Sequence, residues 1–249
     1  MEKITATIIT KNNEEIIERC LKSVTWTDEI VVVDSGSTDN TLEICEKYNC
    51  KVIRTPWLGF GKTKQLAEDN ASNDWILSID SDEICTPELK SRLLSILSDP
   101  DSMGGYRIKR RTFYLGKPIK YCGWQKDFPL RMYKKSVGGF NDREIHEFVE
   151  LRGQAGKIKE QILHYSYRSI SDHLQKIDRY TSLGAVEAIS KGKTSSPLLA
   201  IMKGHFKFFK MFVMQRGFLD GPTGYILAKN SAFGVYLKYL KIFESGRKK

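Results

Sequence analysis

Hydrophobic and polar positions switch between two periods over the first 80 residues. Ile4-Thr5-Ala6-Thr7-Ile8-Ile9-Thr10 predicts a buried strand. From Asn13 to Val24, the apolar residues Ile16, Ile17, Cys20, Leu21 and Val24 fall at the spacing of one helix face. Glu29–Asp34 is a β-branched run and the best strand in the chain. Thr41–Tyr48 predicts a second helix, Lys51–Arg54 a short strand, Gly61–Ala71 a third helix and Trp75–Asp80 a fourth strand. The order βαβαβαβ argues for an α/β fold with a parallel sheet and helices on both faces. Thr86-Pro87 opens one more helix, Glu88–Leu97.

The pattern then changes. Between Gly104 and Tyr167, short β-like pieces (Tyr106–Ile108, Pro129–Tyr133, Glu160–Tyr165) alternate with Gly- and Lys-rich loops. They predict further strands of the same sheet and loops around a site. After Ser169 the chain is helical, with Ser171–Lys191, Pro197–Arg216 and Tyr225–Phe243 as candidates, punctuated by Gly192 and by Gly217, Gly221-Pro222 and Gly224. The expected organisation is an α/β domain over 1–168 and a helical, basic amphipathic region over 169–249.

With 249 residues, 41% hydrophobic and 28% charged, the chain has globular composition, and disordered and collagenous classes are excluded. Its five cysteines are odd in number and lack CxxC spacing, so they read as reduced thiols and a cytosolic setting. The start, MEKITATIITKNNEE, has no signal-peptide core, and no long apolar run predicts a membrane span. The net charge of +10 is unevenly placed. Residues 1–100 hold 11 Lys/Arg against 18 Asp/Glu, whereas 101–200 hold 19 against 10 and 201–249 hold 10 against 2. A basic second half suits nucleic acid, an anionic lipid surface or a phosphorylated acceptor.

Ligands of open α/β sheets bind beyond the carboxyl ends of the strands. Here those ends carry Thr10-Lys11-Asn12-Asn13-Glu14, Asp34-Ser35-Gly36-Ser37-Thr38-Asp39 and Asp80-Ser81-Asp82-Glu83. Ser37, Thr38 or Asp39 would also serve as a helix cap, and Gly36 as a turn residue. The last cluster is sharper, because Asp80, Asp82 and Glu83 bring like charges together directly after an apolar strand. Carboxylates at i and i+2 converge on one hard ion, Mg²⁺ or Mn²⁺, if its other ligands come from phosphate. The plain alternative is a solvated acidic turn.

The segments TIITKNNEE, VVVDSGSTDNT and GFGKTKQLAEDNASNDWILSIDSDE together resemble the nucleotide-binding half of family 2 glycosyltransferases, of the GT-A fold. The likeness is tight over 4–83 and looser to about 165. The stretch RGFLDGPTGYILAKNSAFGVYLKYLKI is similar to the end of bacterial lipopolysaccharide core glucosyltransferases. The resemblance implies a UDP-sugar donor and a lipopolysaccharide-core or other lipid-linked acceptor. It puts Thr10 beside the nucleotide, Asp34 on the uracil, Asp80 on the ribose or metal, and Asp82 on a metal at the diphosphate. Lys62 and Lys64 become candidates for phosphate contact, and His164 for closing the metal shell, although a histidine at a strand end is also an ordinary structural residue.

An inverting transfer needs a base for the acceptor hydroxyl. Many relatives use the aspartate of a Glu-Asp pair, which the second half of this chain lacks. Arg143-Glu144-Ile145-His146-Glu147 stands there instead, and Glu147 is the expected base with His146 beside it. Glu144 and Asp127 are its rivals, and a solvated charged loop is the alternative. Trp124, Asp127 and Arg131 suit recognition of a phosphorylated sugar acceptor, while Trp124 would serve equally in a core. In Pro197–Arg216 a lysine stripe, Lys203, Lys207 and Lys210, borders a wide apolar arc. That fits a helix lying in an anionic membrane interface, at the cytoplasmic face of the inner membrane, or a packing face for the core or a partner subunit. A protein or peptide acceptor and a nucleic-acid-binding module are the alternative functions. Against the module, no helix-turn-helix, RNP-type or zinc-finger pattern is present, and the acidic strand ends would repel phosphate unless metal is bound.

Overall fold

A computed structural model of the chain describes residues 2–140, 148–167 and 169–247. It divides into two compact units, one of residues 1–111 with 127–164 and one of 112–126 with 165–249. The chain therefore enters the second unit twice.

In the first unit the strands and helices of the amino-terminal third alternate as their periodicity predicts. They are β1 (Ile4–Thr10), α1 (Ile17–Val24), β2 (Glu29–Asp34), α2 (Thr41–Lys47), β3 (Lys51–Arg54), α3 (Phe60–Asp69) and β4 (Trp75–Ser78). There follow β5 (Glu83–Cys85), which three residues were too few to predict, and α4 (Pro87–Leu97). The side chain of Thr86 caps α4 by accepting the Leu89 N–H at 3.3 Å. After them come β6 (Gly105–Tyr114), β7 (Lys117–Pro118), β8 (Leu130–Lys134), β9 (Gly138–Phe140), β10 (Val149–Leu151) and β11 (Gly156–Tyr167). β6 and β11 carry on into the second unit, which also holds β7.

The sheet is mixed, in the order β3-β2-β1-β4-β8-β6-β11-β5. β3, β2, β1 and β4 are parallel, as βαβ crossovers require, and β8, β6 and β5 join antiparallel. The register pairs Thr10 with Asp34 and Thr7 with Ser78, so the carboxyl ends of β1, β2 and β4 lie side by side. β1 and β4 are buried almost throughout, the mark of strands covered on both faces. One core joins Ile4, Ile8, Val32, Leu77 and Ile79 to α1 through Cys20 and Leu21 and to α4 through Leu89 and Leu93. α3 packs Ala67 on the opposite face, against Val31 and Val33. The separate β9–β10 pair flanks residues 141–147.

The second unit is built from α5 (Ile170–Ser190), α6 (Pro197–Phe209) and α7 (Gly221–Arg247), with residues 112–126 packed among them. α6 ends in a wide π-type turn over Lys210–Met214, and α7 starts four residues before the predicted Tyr225. Tyr114, Ile119 and Cys122 form a core with Met211, Leu227 and Ala228. The RGFLDGPTG stretch is a close-packed corner. A Cβ on Gly224 would stand 2.0 Å from the Gly217 carbonyl oxygen, so no other residue fits there. Asp220 then accepts the backbone N–H groups of Lys120 and Tyr121 at 3.1 and 2.8 Å. All five cysteines are free.

Candidate active site

At the carboxyl ends of β1 and β2, two polar loops bond to each other. Asn12 Oδ1 accepts the Thr38 N–H at 2.8 Å, and the Ser37 hydroxyl oxygen accepts the Asn12 N–H at 2.9 Å. Asp34 is 1% exposed. Its Oδ2 accepts the N–H groups of Gly36 and Ser37 at 3.0 and 2.9 Å, and its Oδ1 accepts the Ser37 hydroxyl. A carboxylate has roughly four lone-pair sites, so these three local bonds orient Asp34 and leave capacity for one more donor. Thr10, also buried, is its neighbour on β1. The sequence's cap reading is met in another form: Asp39 Oδ1 accepts the Thr41 N–H at 3.1 Å.

The loop after β4 is held differently. Lys64 of α3 lies 3.0 Å from Asp80 Oδ1, and Arg131 of β8 bonds Asp80 Oδ2. The same Arg131 nitrogen reaches Glu83 Oε1 at 2.6 Å. Arg110 of β6 bonds Glu83 at 3.1 Å and Asp127 at 2.7 Å. Glu83 is fully buried, and its second oxygen accepts the Asp80 N–H at 3.0 Å, which fixes the turn. Burial opposes ionisation of Asp80, but Arg131 and Lys64 outweigh it and hold the carboxyl well below the usual carboxylate range. Two of the three acids that looked self-repelling in the sequence, Asp80 and Glu83, are thus matched by cations from three other elements.

Lys62 and Lys64 stand two apart on α3 and so face different ways: Lys62 is exposed and Lys64 is buried. Arg131, expected at the acceptor, is 5% exposed and spends its guanidinium on Asp80 and Glu83; its Nε has no partner among the described residues. Asp127 is the partner of Arg110. Trp124 belongs to the second unit, where its ring stacks on Tyr167. Glu147, His146 and Glu144 lie outside the described residues.

Asp82 and His164 come together, with Nε2 3.4 Å from Oδ1, because β11 pairs with β5 and sets His164 opposite Glu83. One carboxylate and one imidazole suit a divalent cation that takes its remaining ligands from elsewhere. Among the described residues no group of three His, Cys, Asp or Glu side chains is arranged to hold a metal alone.

Sequence reasoning missed Arg110 and the acid Glu68. Arg110 lies in the run Lys109-Arg110-Arg111, which reads as basic surface. Glu68, on α3, is buried; burial pushes its carboxyl up to about 7, although the Tyr133 hydroxyl donates to it at 2.9 Å.

The family described as Glycosyl transferase family 2 matches residues 5–143. An uncharacterized glycosyltransferase of Rickettsia conorii is 34% identical, over 99% of this chain and 92% of its own length. The lipopolysaccharide core biosynthesis glycosyltransferase LpsC of Rhizobium meliloti is 26% identical, over 97% of this chain and 92% of its own. Among solved structures, glucosyl-3-phosphoglycerate synthase from Mycobacterium tuberculosis, in complex with Mn²⁺, UDP and glucosyl-3-phosphoglycerate, is similar over 45% of this chain and 44% of that one. The identity there is 25% and the TM-score 0.38.

Proposed function

The chain belongs to glycosyl transferase family 2, and on that premise we propose that it moves glucose or a similar hexose from a UDP-sugar to a lipopolysaccharide-core or other lipid-linked saccharide, with inversion at the anomeric carbon. The observation that carries this reading is the shared rim. Asp34 and Thr10 are paired across β2 and β1, and Asp80 and Asp82 follow β4, the strand on the other side of β1. The similarity to LpsC along nearly the whole chain supports the acceptor class, and a lipid-linked acceptor sets the reaction at a membrane surface.

In this reading the spare acceptor capacity of Asp34 takes the uracil imide N–H, beside Thr10. Lys62 is free to meet phosphate, with Lys64 behind it at Asp80. Asp80 serves the ribose, and Asp82 with His164 holds Mg²⁺ or Mn²⁺. Such an ion, when bound, offsets the charge that develops on the departing diphosphate. The acceptor hydroxyl attacks the anomeric carbon from the face opposite UDP. Its proton passes to the Glu147 carboxylate, the bond to the diphosphate oxygen breaks, and UDP leaves. Asp127 meets the acceptor. Asp127 is the weaker candidate for the base, since Arg110 already occupies it.

The test is a screen of UDP-sugars with Mn²⁺ or Mg²⁺, run beside calorimetry of UDP in EDTA. UDP should bind only weakly in EDTA; equal affinity in both would remove the metal. Glu147→Gln should keep UDP-sugar affinity and lose roughly 10²–10⁴-fold in turnover, the range for a general base. Near-normal turnover there, with Asp127→Asn inactive, would move the base to Asp127. No UDP binding under any condition would sink the reading.

A further inference from the structure

α6 carries two opposite faces. Its inner face, Ala200 and Gly204, is buried, and a Cβ on Gly204 would lie 3.3 Å from the Ala232 carbonyl oxygen of α7, so the two helices pack closely. On the far side, Leu198, Met202, Phe206, Phe209 and Val213 follow one another at helical spacing. They are among the most exposed large apolar side chains of the protein, from 45% for Val213 to 67% for Leu198. Serine 196 caps this helix with its hydroxyl, accepting the Leu199 N–H at 3.2 Å, and Pro197 stands in the first turn. The stripe is therefore a stable helical face and not a frayed end.

The charge beside this face has one sign. Lys203 and Lys210 are exposed on its flank, and Lys207 between them is half-buried. No Asp or Glu occurs from residue 188 to residue 219, a stretch that also holds Lys191, Lys193 and Arg216. A second copy of this chain meeting the face by two-fold symmetry would bring these cations against each other. An anionic surface meets both properties at once. Among the described residues no helix is long and apolar enough to cross a membrane, so the contact is one of a helix lying in the plane of the lipid headgroups.

We propose that the outer face of α6 docks on an anionic lipid bilayer, with Met202, Phe206 and Phe209 inserted at the acyl boundary and Lys203 and Lys210 on the headgroups. The proposal deepens the reading of a lipid-linked acceptor, since it holds the enzyme at the surface where that acceptor resides.

The test is flotation of the full chain with vesicles of phosphatidylcholine and phosphatidylglycerol, against phosphatidylcholine alone, with UDP affinity measured on the same preparations. The wild type should float with the mixed vesicles and be released by salt. Lys203→Glu with Lys210→Glu should weaken binding by at least roughly 30-fold, because each lysine near an anionic leaflet contributes about 1 kcal/mol. Phe206→Ser with Phe209→Ser should lose binding even at low salt. Both replace exposed side chains, and circular dichroism and UDP affinity should stay as in the wild type. Failure of the wild type to float, with UDP binding intact, would overturn the docking face and leave the transferase reading standing. A concentration-dependent dimer that the phenylalanine variant dissolves would assign the face to a second copy and overturn the proposal as well.

Discussion

Asp34 and Asp80 stand at the same rim of one sheet, yet their carboxylates are held by different kinds of partner. Asp34 is satisfied from within its own loop, by donors two and three residues further on. Asp80 and its companion Glu83 are satisfied by Lys64, Arg110 and Arg131, which arrive from α3, β6 and β8. The first arrangement can form as soon as its loop turns. The second exists only once the parallel and antiparallel halves of the sheet have met. One acid is oriented by neutral donors, and the other is set in a network in which Asp80 and Glu83 share Arg131, with Lys64 and Arg110 as their second cations.

Arg131→Ala should therefore have the largest effect. It leaves Glu83 buried with Arg110 alone, and breaking a buried pair typically costs about 3–5 kcal/mol. Urea denaturation measures this, and an unchanged midpoint would mean the network contributes no net stability. A second test contrasts the half-buried Asp80 with the buried Glu68. The folded-state pKa of Asp80 is depressed, so its contribution is present above the ordinary carboxylate range and is lost as pH falls. That of Glu68 is raised from 4.5 to about 7, so its contribution has the opposite sign and stability drains as pH climbs through that window. At 1.36 kcal/mol per unit, Glu68→Gln should recover on the order of 3 kcal/mol at pH 8 and nothing at pH 4. Denaturation midpoints at the two pH values decide it, and an equal change at both would deny the titration. Asp34→Ala should leave the fold intact and weaken UDP by roughly 1–3 kcal/mol, the range for a lost charged hydrogen bond. Unchanged affinity in calorimetry would exclude Asp34 from the nucleotide site. The smallest effect belongs to Ser37→Ala, which removes one neutral donor to Asp34 and the acceptor of the Asn12 N–H, while the backbone amides of positions 36 and 37 remain. UDP should weaken by about 0.5–1.5 kcal/mol, and a loss as large as that of Asp34→Ala would show that the hydroxyl does more than orient the carboxylate.

The same contrast explains what could be read in advance. β1 to α4 were legible, save the short β5, because each covered strand or amphipathic helix carries its burial pattern within a few residues. The rim acids Asp34, Asp80 and Asp82 were legible for the same reason, as polar clusters at strand ends. The partners of Asp80 were not. Arg131 sits in Leu130-Arg131-Met132, where one cation among apolar neighbours reads as an outward residue, although it is buried and paired to residues 80 and 83. Nothing near Lys64 announces that it is the inward lysine of its helix while Lys62 is the outward one. The interleaving of the units was hidden too, since residues 112–126 look like any loop-rich stretch until Met211 and Leu227 are seen beside them.

That interleaving bears on how the protein is made. Lys120 waits for Asp220, 100 residues further along the chain. At a translation rate of roughly 5–20 residues per second, that is a delay of about 5–20 s. Through it, Tyr114, Ile119 and Cys122 have left the ribosome without the helices that will cover them. A nascent chain stalled before Gly217 would present those three side chains to chaperones, and the second unit closes only once α7 has been made.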